Sequence, residues 1–222
     1  MNAAVTLEGV WHRYGSGPWV LEGLVLEVAA GEALAVMGPS GSGKTTLLSI
    51  AGLLTEPTRG RVRLGGVPVP RSQRRRDRLR AEWFAWVFQT VNVLGHRTAE
   101  DNTALSLLAR GVPRGEATRQ ARAALGAVGL ADRAGSPVVD LSGGELQRVC
   151  IARAVAAAPK VVLADEPTGQ LDHATSLRVL DALWAARRPD TALLVATHDP
   201  QVAERCDRIL RLVDGRLIEE PT

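Results

Sequence analysis

The densest chemistry in this sequence lies in eight consecutive residues, Gly38-Pro39-Ser40-Gly41-Ser42-Gly43-Lys44-Thr45. They fit the pattern G-x-x-x-x-G-K-S/T, in which glycines let successive backbone amides close around a polyphosphate. The setting suits that use. An apolar strand is predicted just before the loop (Ala33-Leu34-Ala35-Val36-Met37) and an apolar helix just after it (Leu47 to Leu54), so loop amides and a helix N-terminus converge on one anion. Lys44 then meets the β- and γ-phosphates as a point charge, the Thr45 hydroxyl is placed to ligate Mg²⁺, and Thr46 extends the grip. A glycine-rich turn that binds nothing is the alternative, and the strand-loop-helix context argues against it. The expected ligand is a nucleoside triphosphate.

A second cluster ends the apolar run Val161-Val162-Leu163-Ala164-Asp165-Glu166. A run without alternation suits a strand buried on both faces of a parallel sheet, and ligands of such sheets bind at the carboxyl ends of the strands. Asp165 there reads as a Mg²⁺ partner, direct or through water. Glu166, one residue on, is the natural group to polarise an attacking water. The structural alternative is an Asp-Glu-Pro turn that merely closes the strand.

Tyr14, the P-loop, Gln89, Leu141-Ser142-Gly143-Gly144-Glu145, Val161 to Glu166, Leu171-Asp172 and His198 follow one another as in ATP-binding cassette (ABC) ATPase subunits. The chain resembles that family over about residues 3 to 219. Three stretches are similar to the subgroup serving lipoprotein-releasing, macrolide-exporting and FtsE-type cell-division systems: Asp77 to Arg80 leading to Trp86-Val87-Phe88-Gln89, Leu163 to Gly169, and Ala196 to Asp199. The resemblance implies ATP as the nucleotide, with Tyr14 stacked on adenine; nearby Trp11 is the alternative ring. It implies that Gln89 touches Mg²⁺ or the attacking water and reports to a membrane partner. His198 would contact the γ-phosphate, and Asp172 would link the two sites of a dimer. His198 ends the apolar run Ala192 to Thr197, at a sheet edge where a nucleotide can sit.

Leu141 to Glu145 is a second glycine-rich grip, because Ser142 is a good N-cap for a helix over about 145–157 and its free amides attract anions. One triphosphate cannot be wrapped identically twice by one small domain. The resemblance implies a head-to-tail dimer in which Ser142, Gly143 and Gly144 of one copy close over the ATP of the other. Many family members carry Gln where this chain has Glu145, which bears on one polar contact beside the grip. Gln170 stands where the subgroup often has Asn.

The elements that must position these groups follow from periodicity. Residues 3–28 hold two amphipathic strands, and 61–69 short strands around the turn Gly65-Gly66. Trp83 to Phe88 reads as a core strand. From Thr98 to Leu130 the period is helical, with a capping box at Thr98-x-x-Asp101 and a break at Pro113-Arg114-Gly115. Helix and strand then alternate from Val149 on, as in a doubly wound sheet. The expected fold is α/β: a P-loop NTPase (RecA-like) core with an N-terminal antiparallel β-subdomain and an inserted α-helical subdomain. It forms a single domain over 1–222, with the core at about 1–89 and 142–222 and the helical part at about 90–141.

At 222 residues and 45% hydrophobic content the chain is an ordinary globular protein, without an apolar run of spanning length or a signal-peptide pattern at its start. Cys150 and Cys206 read as small buried residues rather than a disulfide. Of 27 basic residues 25 are arginine, and the net charge is +3. The densest run, Arg71 to Arg80, is expected to be a solvated helix face, with anionic lipid or nucleic acid as the alternative; no aromatic interleaving supports nucleic acid, and none is expected as a partner. The loop Thr90 to Arg97 resembles the place where a transmembrane subunit docks its coupling helix, and an ordinary surface loop is the alternative. The expectation is an ATPase that acts with a second copy of itself and an integral-membrane permease subunit. It would be cytoplasmic and peripheral on the inner face of the plasma membrane. The rivals are an FtsE-like regulatory ATPase that moves no substrate and a non-transport ABC ATPase.

Overall fold

Alternating apolar residues pair the first two strands, Ala3–His12 (β1) and Leu21–Ala29 (β2), antiparallel, with Leu7 opposite Leu26 and both buried. The chain then passes through Ala33–Met37 (β3) and the P-loop into Lys44–Ala51 (α1) before returning as Arg59–Leu64 (β4) and Val67–Pro68 (β5), joined at Gly65-Gly66. These strands form one antiparallel sheet in the order β2-β1-β4-β5. A computed structural model describes residues 3–219. It divides the chain into two units: one runs to Phe84 and adds Lys160–Glu166 and everything from Asp190, and the other comprises Ala85–Pro159 and Pro167–Pro189.

The first unit also holds Gln73–Trp83 (α2), and Phe84–Val87 (β6) leads the chain into the second. There Ala99–Leu108 (α3), Arg114–Ala127 (α4) and Gly143–Ala156 (α5) follow. Val161–Asp165 (β7) belongs to the first unit, His173–Ala186 (α6) to the second, and Ala192–Thr197 (β8), Pro200–Ala203 (α7), Arg208–Val213 (β9) and Arg216–Glu219 (β10) again to the first. In the first unit's mixed sheet β10, β9, β3, β8 and β7 lie side by side in that order. β3 runs parallel to β8 and β9, and β7 parallel to β8. Every residue of β3 and β8 is buried, which explains why their sequences run apolar without alternation.

In the second unit α3, α4 and α5 pack around a cluster of small residues, Ala104, Ala117 and Ala121 with Leu107, sealed by Val112, Ala156 and Ala157. Thr98 caps α3 by accepting from the Asp101 amide. The fully buried Asn102 bonds both the N–H and the C=O of Leu94 (2.7 and 3.2 Å), pinning the loop that precedes the helix.

Several local expectations change. α1 begins at Lys44 rather than Leu47, because the end of the P-loop is itself the first helical turn, with the Leu47 amide bonded to Gly43 O at 2.8 Å. Trp83 ends α2 instead of opening the next strand, and its ring receives the Lys160 ammonium 3.8 Å from the centroid. The basic run is not wholly a solvated face: Arg76 is only 5% exposed and donates to Thr55 O at 3.2 Å. Neither cysteine is in a disulfide, but only Cys150 is buried; Cys206, beside the short α7, is half-buried.

Candidate nucleotide site

The P-loop leaves β3 inside the sheet and turns into α1 through Gly43 at φ 102°. A Cβ there would lie 3.0 Å from Leu21 Cδ2 and 3.1 Å from Val20 Cγ1, so both the backbone conformation and the close approach require glycine. Lys44 follows, 7% exposed, with Nζ donating to Gly38 O (2.7 Å) and Pro39 O (3.1 Å). The ammonium is thus held over the loop, 3.6 Å from Glu166 Oε1.

Parallel pairing of β7 with β8 delivers two carboxylates beside it. Glu166 has the left-handed φ of 46°, unusual for a side chain of its size, and its amide is tied to Ala196 O at 2.9 Å. That conformation turns the carboxylate back to the end of β8. There Oε1 lies 2.9 Å from His198 Nδ1, while Oε2 accepts from Thr197 Oγ1 at 3.3 Å and the His198 amide at 3.4 Å. The short Nδ1 contact requires a proton on that nitrogen, leaving Nε2 of exposed His198 outward. Burial pushes the Asp165 carboxyl up, with the neighbouring Glu166 charge acting the same way; a hydrogen bond with Thr45 and the Lys44 charge oppose it. A carboxylate disfavoured by burial and bonded to a hydroxyl is a site where a divalent cation would restore charge balance. Among the described residues no group of three or more His, Cys, Asp or Glu could hold a metal. The donor set of one hydroxyl and one carboxylate fits Mg²⁺, which commonly takes one or two protein oxygens plus phosphate oxygens and water.

Of the two candidate rings for the base, Tyr14 is 60% exposed and Trp11 is half-buried. The Tyr14 hydroxyl lies 3.1 Å from Thr46 Oγ1, and its ring meets His12 edge-on at 4.8 Å. Trp11 is instead engaged edge-on with Trp19 at 5.3 Å. The first unit therefore brings together Tyr14, Gly38, Pro39, Ser40, Gly41, Ser42, Gly43, Lys44, Thr45, Thr46, Asp165, Glu166 and His198.

Gln89, Ser142, Gly143, Gly144, Glu145 and Asp172 belong to the second unit. Gln89 is exposed. Ser142 caps α5 in a full capping box: the Glu145 amide donates to Ser142 Oγ, and Glu145 Oε2 accepts from the Ser142 amide (2.9 Å) and hydroxyl (2.8 Å). A Cβ on Gly144 would sit 2.2 Å from Thr175 Cγ2, so the α5–α6 contact requires glycine. Asp172 caps α6 by accepting from the Thr175 amide at 3.0 Å. Ser142, Gly143, Gly144, Glu145 and Asp172, but not Gln89, line a cleft of about 600 Å³ to which Arg148 and Arg178 also contribute. Sequence reasoning missed Gln147, 2% exposed, whose amide donates to Phe88 O (3.0 Å) and Pro167 O (2.9 Å) and so joins the chain beside Gln89 to the chain after Glu166. Its signal was a lone amide between apolar positions of a helix.

The Ser142 amide and then the Ser142 hydroxyl hold the Glu145 carboxyl below its ordinary range. A group with a lowered folded pKa stabilises above the unfolded carboxylate range and loses that contribution as pH falls through its folded value. Glu145→Ala should therefore cost about 1 kcal/mol at neutral pH. Thermal melts should show the gap from wild type closing towards about pH 3; a gap independent of pH would mean that the carboxylate charge contributes nothing.

A family model described as "ABC transporter" matches residues 21–169. The chain is 43% identical over 223 residues to the lipoprotein-releasing system ATP-binding protein LolD of Bordetella avium, covering 98% of this chain and 97% of that one. It is 46% identical to the protein of the same name from Ruegeria pomeroyi, over 96% of each. Among solved structures, the ATP-binding cassette MJ0796 in a dimeric post-hydrolysis state with ADP and Pi superposes with a TM-score of 0.86 at 33% identity, over 98% of both chains. That likeness carries the whole fold: an α/β P-loop NTPase core with its antiparallel sheet and helices.

Proposed function

The chain belongs to the ABC transporter family as an ATP-binding subunit that hydrolyses ATP, and from that premise we propose that two copies power a separate integral-membrane permease of the lipoprotein-releasing kind. The observation that carries this reading is near-complete coverage, at 43% and 46% identity, of relatives named for lipoprotein release. Among the described residues no helix is long and apolar enough to cross a membrane, so the membrane step falls to the partner.

In this reading each copy binds ATP with Tyr14 against the base and the amides of Gly38 to Thr46 around the phosphates. Lys44 leaves its loop carbonyls for the β- and γ-oxygens. Thr45 and Asp165, with Gln89, would hold Mg²⁺, which neutralises charge on the phosphates when bound. Glu166 polarises the attacking water, and its bond with His198 Nδ1 orients the ring so that its Nε2 edge can face the γ-phosphate. Ser142, Gly143 and Gly144 present the α5 N-terminus to the nucleotide of the second copy, and Asp172 lies beside them in the same cleft. The helical segment of about 90–141 is the docking subdomain, with the loop pinned by Asn102 as its contact with the permease.

The test is to express the chain with and without a lipoprotein-releasing permease, fractionate the cells, and wash the membranes in high salt. Recovery with membranes only when the permease is present, surviving the wash, is the expected result, because a packed protein interface is screened far less than exposed charges. Equal recovery without the permease, lost in salt, would overturn the docking assignment.

A further inference from the structure

Gln147 is a buried amide of the second unit that takes no direct part in binding or hydrolysing ATP. It lies on α5, downstream of the Ser142 cap, on the same helix face as the buried Gly144, Ile151 and Ala154. Its Nε2 donates to Phe88 O at 3.0 Å and to Pro167 O at 2.9 Å, which uses both amide hydrogens. The two carbonyls can only accept, so the nitrogen must face them. Oε1 is then left buried with no hydrogen-bond partner, and a bare buried acceptor is unfavourable. A methionine would fill similar space without that acceptor. Only the amide also holds two carbonyls.

Those carbonyls sit at two points that matter for hydrolysis. Phe88 immediately precedes Gln89, and Pro167 is joined to Glu166 by one peptide bond. Both lie in irregular chain, Phe88 just past the end of β6 and Pro167 in the turn after β7. Neither position is therefore held by the ladder of a sheet or helix. The turn that Pro167 opens is closed by the Leu171 amide on Thr168 O at 3.0 Å and runs into Asp172, the cap of α6. Proline makes this connection stiff. Its ring fixes its own φ and restricts the residue before it, so a shift of the Pro167 carbonyl reaches the Glu166 backbone with little slack.

We propose that Gln147 is a positioning residue for hydrolysis: it ties the chain at Gln89 and the chain leaving Glu166 to one point on α5. A displacement of either segment is then carried to the other, and to the helix capped by Ser142. The inference rests on the roles given above to Gln89 at the metal and Glu166 at the attacking water, and it adds the link that makes them move together.

The test compares full-length wild type, Gln147→Met, Gln89→Ala, the double variant of these two, and Glu166→Gln. Calorimetry gives the affinity for a non-hydrolysable ATP analogue and the number of binding sites; kcat is taken per binding site, well below the Tm of each chain. Gln147→Met should bind the analogue within about threefold of wild type while its kcat falls at least about tenfold, as expected when a reacting group is misplaced rather than removed. A role confined to supporting the fold lowers the Tm and the number of sites but leaves kcat per site unchanged, and that result overturns the proposal. Gln89→Ala should cost much less in the Gln147→Met chain than in wild type, because both changes break the same link; losses that simply multiply overturn it too. Where Gln147→Met does not fold, Gln147→Asn, with an amide one methylene short of spanning both carbonyls, should show the same split. Glu166→Gln separates the two levels of the argument. Near-normal turnover by that chain removes the base and the role of Gln147 with it, whereas a slow Glu166→Gln beside an unimpaired Gln147→Met overturns the link alone.

Discussion

A Glu166→Gln chain should bind ATP as well as wild type and hydrolyse it at least about 10²-fold more slowly, the range expected when a general base is removed. The amide keeps the side chain's shape, and its oxygen can still accept from His198 Nδ1, so the bond now measured at 2.9 Å need not be lost. What disappears is the charge that draws a proton from water and that faces Lys44 at 3.6 Å. With the hydrolytic step blocked, ATP-bound dimers should accumulate on gel filtration. Lys44→Ala should behave oppositely and lose nucleotide binding itself, because its ammonium pairs with phosphates already in the ground state. Near-normal turnover by Glu166→Gln would remove that residue from the role.

The second large effect tests whether Ser142 and Lys44 serve the same nucleotide from different copies. A Ser142→Arg chain keeps its own P-loop and should bind ATP, yet fail to hydrolyse it. A Lys44→Ala chain should be inactive for the opposite reason. Mixed, the two should regain part of the lost activity, since one of the two sites in each heterodimer combines an intact P-loop with an intact Ser-Gly-Gly helix end. Serine is the right probe: its hydroxyl already caps α5 and lies 2.8 Å from Glu145 Oε2, so replacement by a long cation fills the cleft beside the α5 N-terminus. Full wild-type hydrolysis by a strictly monomeric preparation at saturating ATP would rule out the shared site.

The parts of this protein legible in its sequence are those whose chemistry is local. The eight residues from Gly38 to Thr45, the capping residues Thr98 and Ser142, and the unbroken apolar runs Ala33 to Met37, Val161 to Ala164 and Ala192 to Ala196 each announce themselves within a few positions. A cap needs an oxygen three residues from an amide, and a doubly covered strand needs a short run of apolar residues together. Neither depends on distant partners. The order of these motifs was therefore enough for the fold class and for an ATPase of the ABC family.

What only the tertiary structure decided depends on which strand lies beside which. Glu166 takes its left-handed turn because its amide reaches Ala196, thirty residues on, and only then do Thr197 and His198 face its carboxylate. Asp165 is pushed up by a burial that no spacing rule encodes. Arg76 looks like its neighbours in the sequence, yet it alone turns inward to Thr55 while Arg74 and Arg75 stay in water. Gln147 finds Phe88 and Pro167, far from it along the chain in opposite directions. A side chain's charge and hydrogen-bonding groups are written in its residue type. Whether water, a carbonyl or another charge satisfies them is settled by contacts between segments remote in sequence.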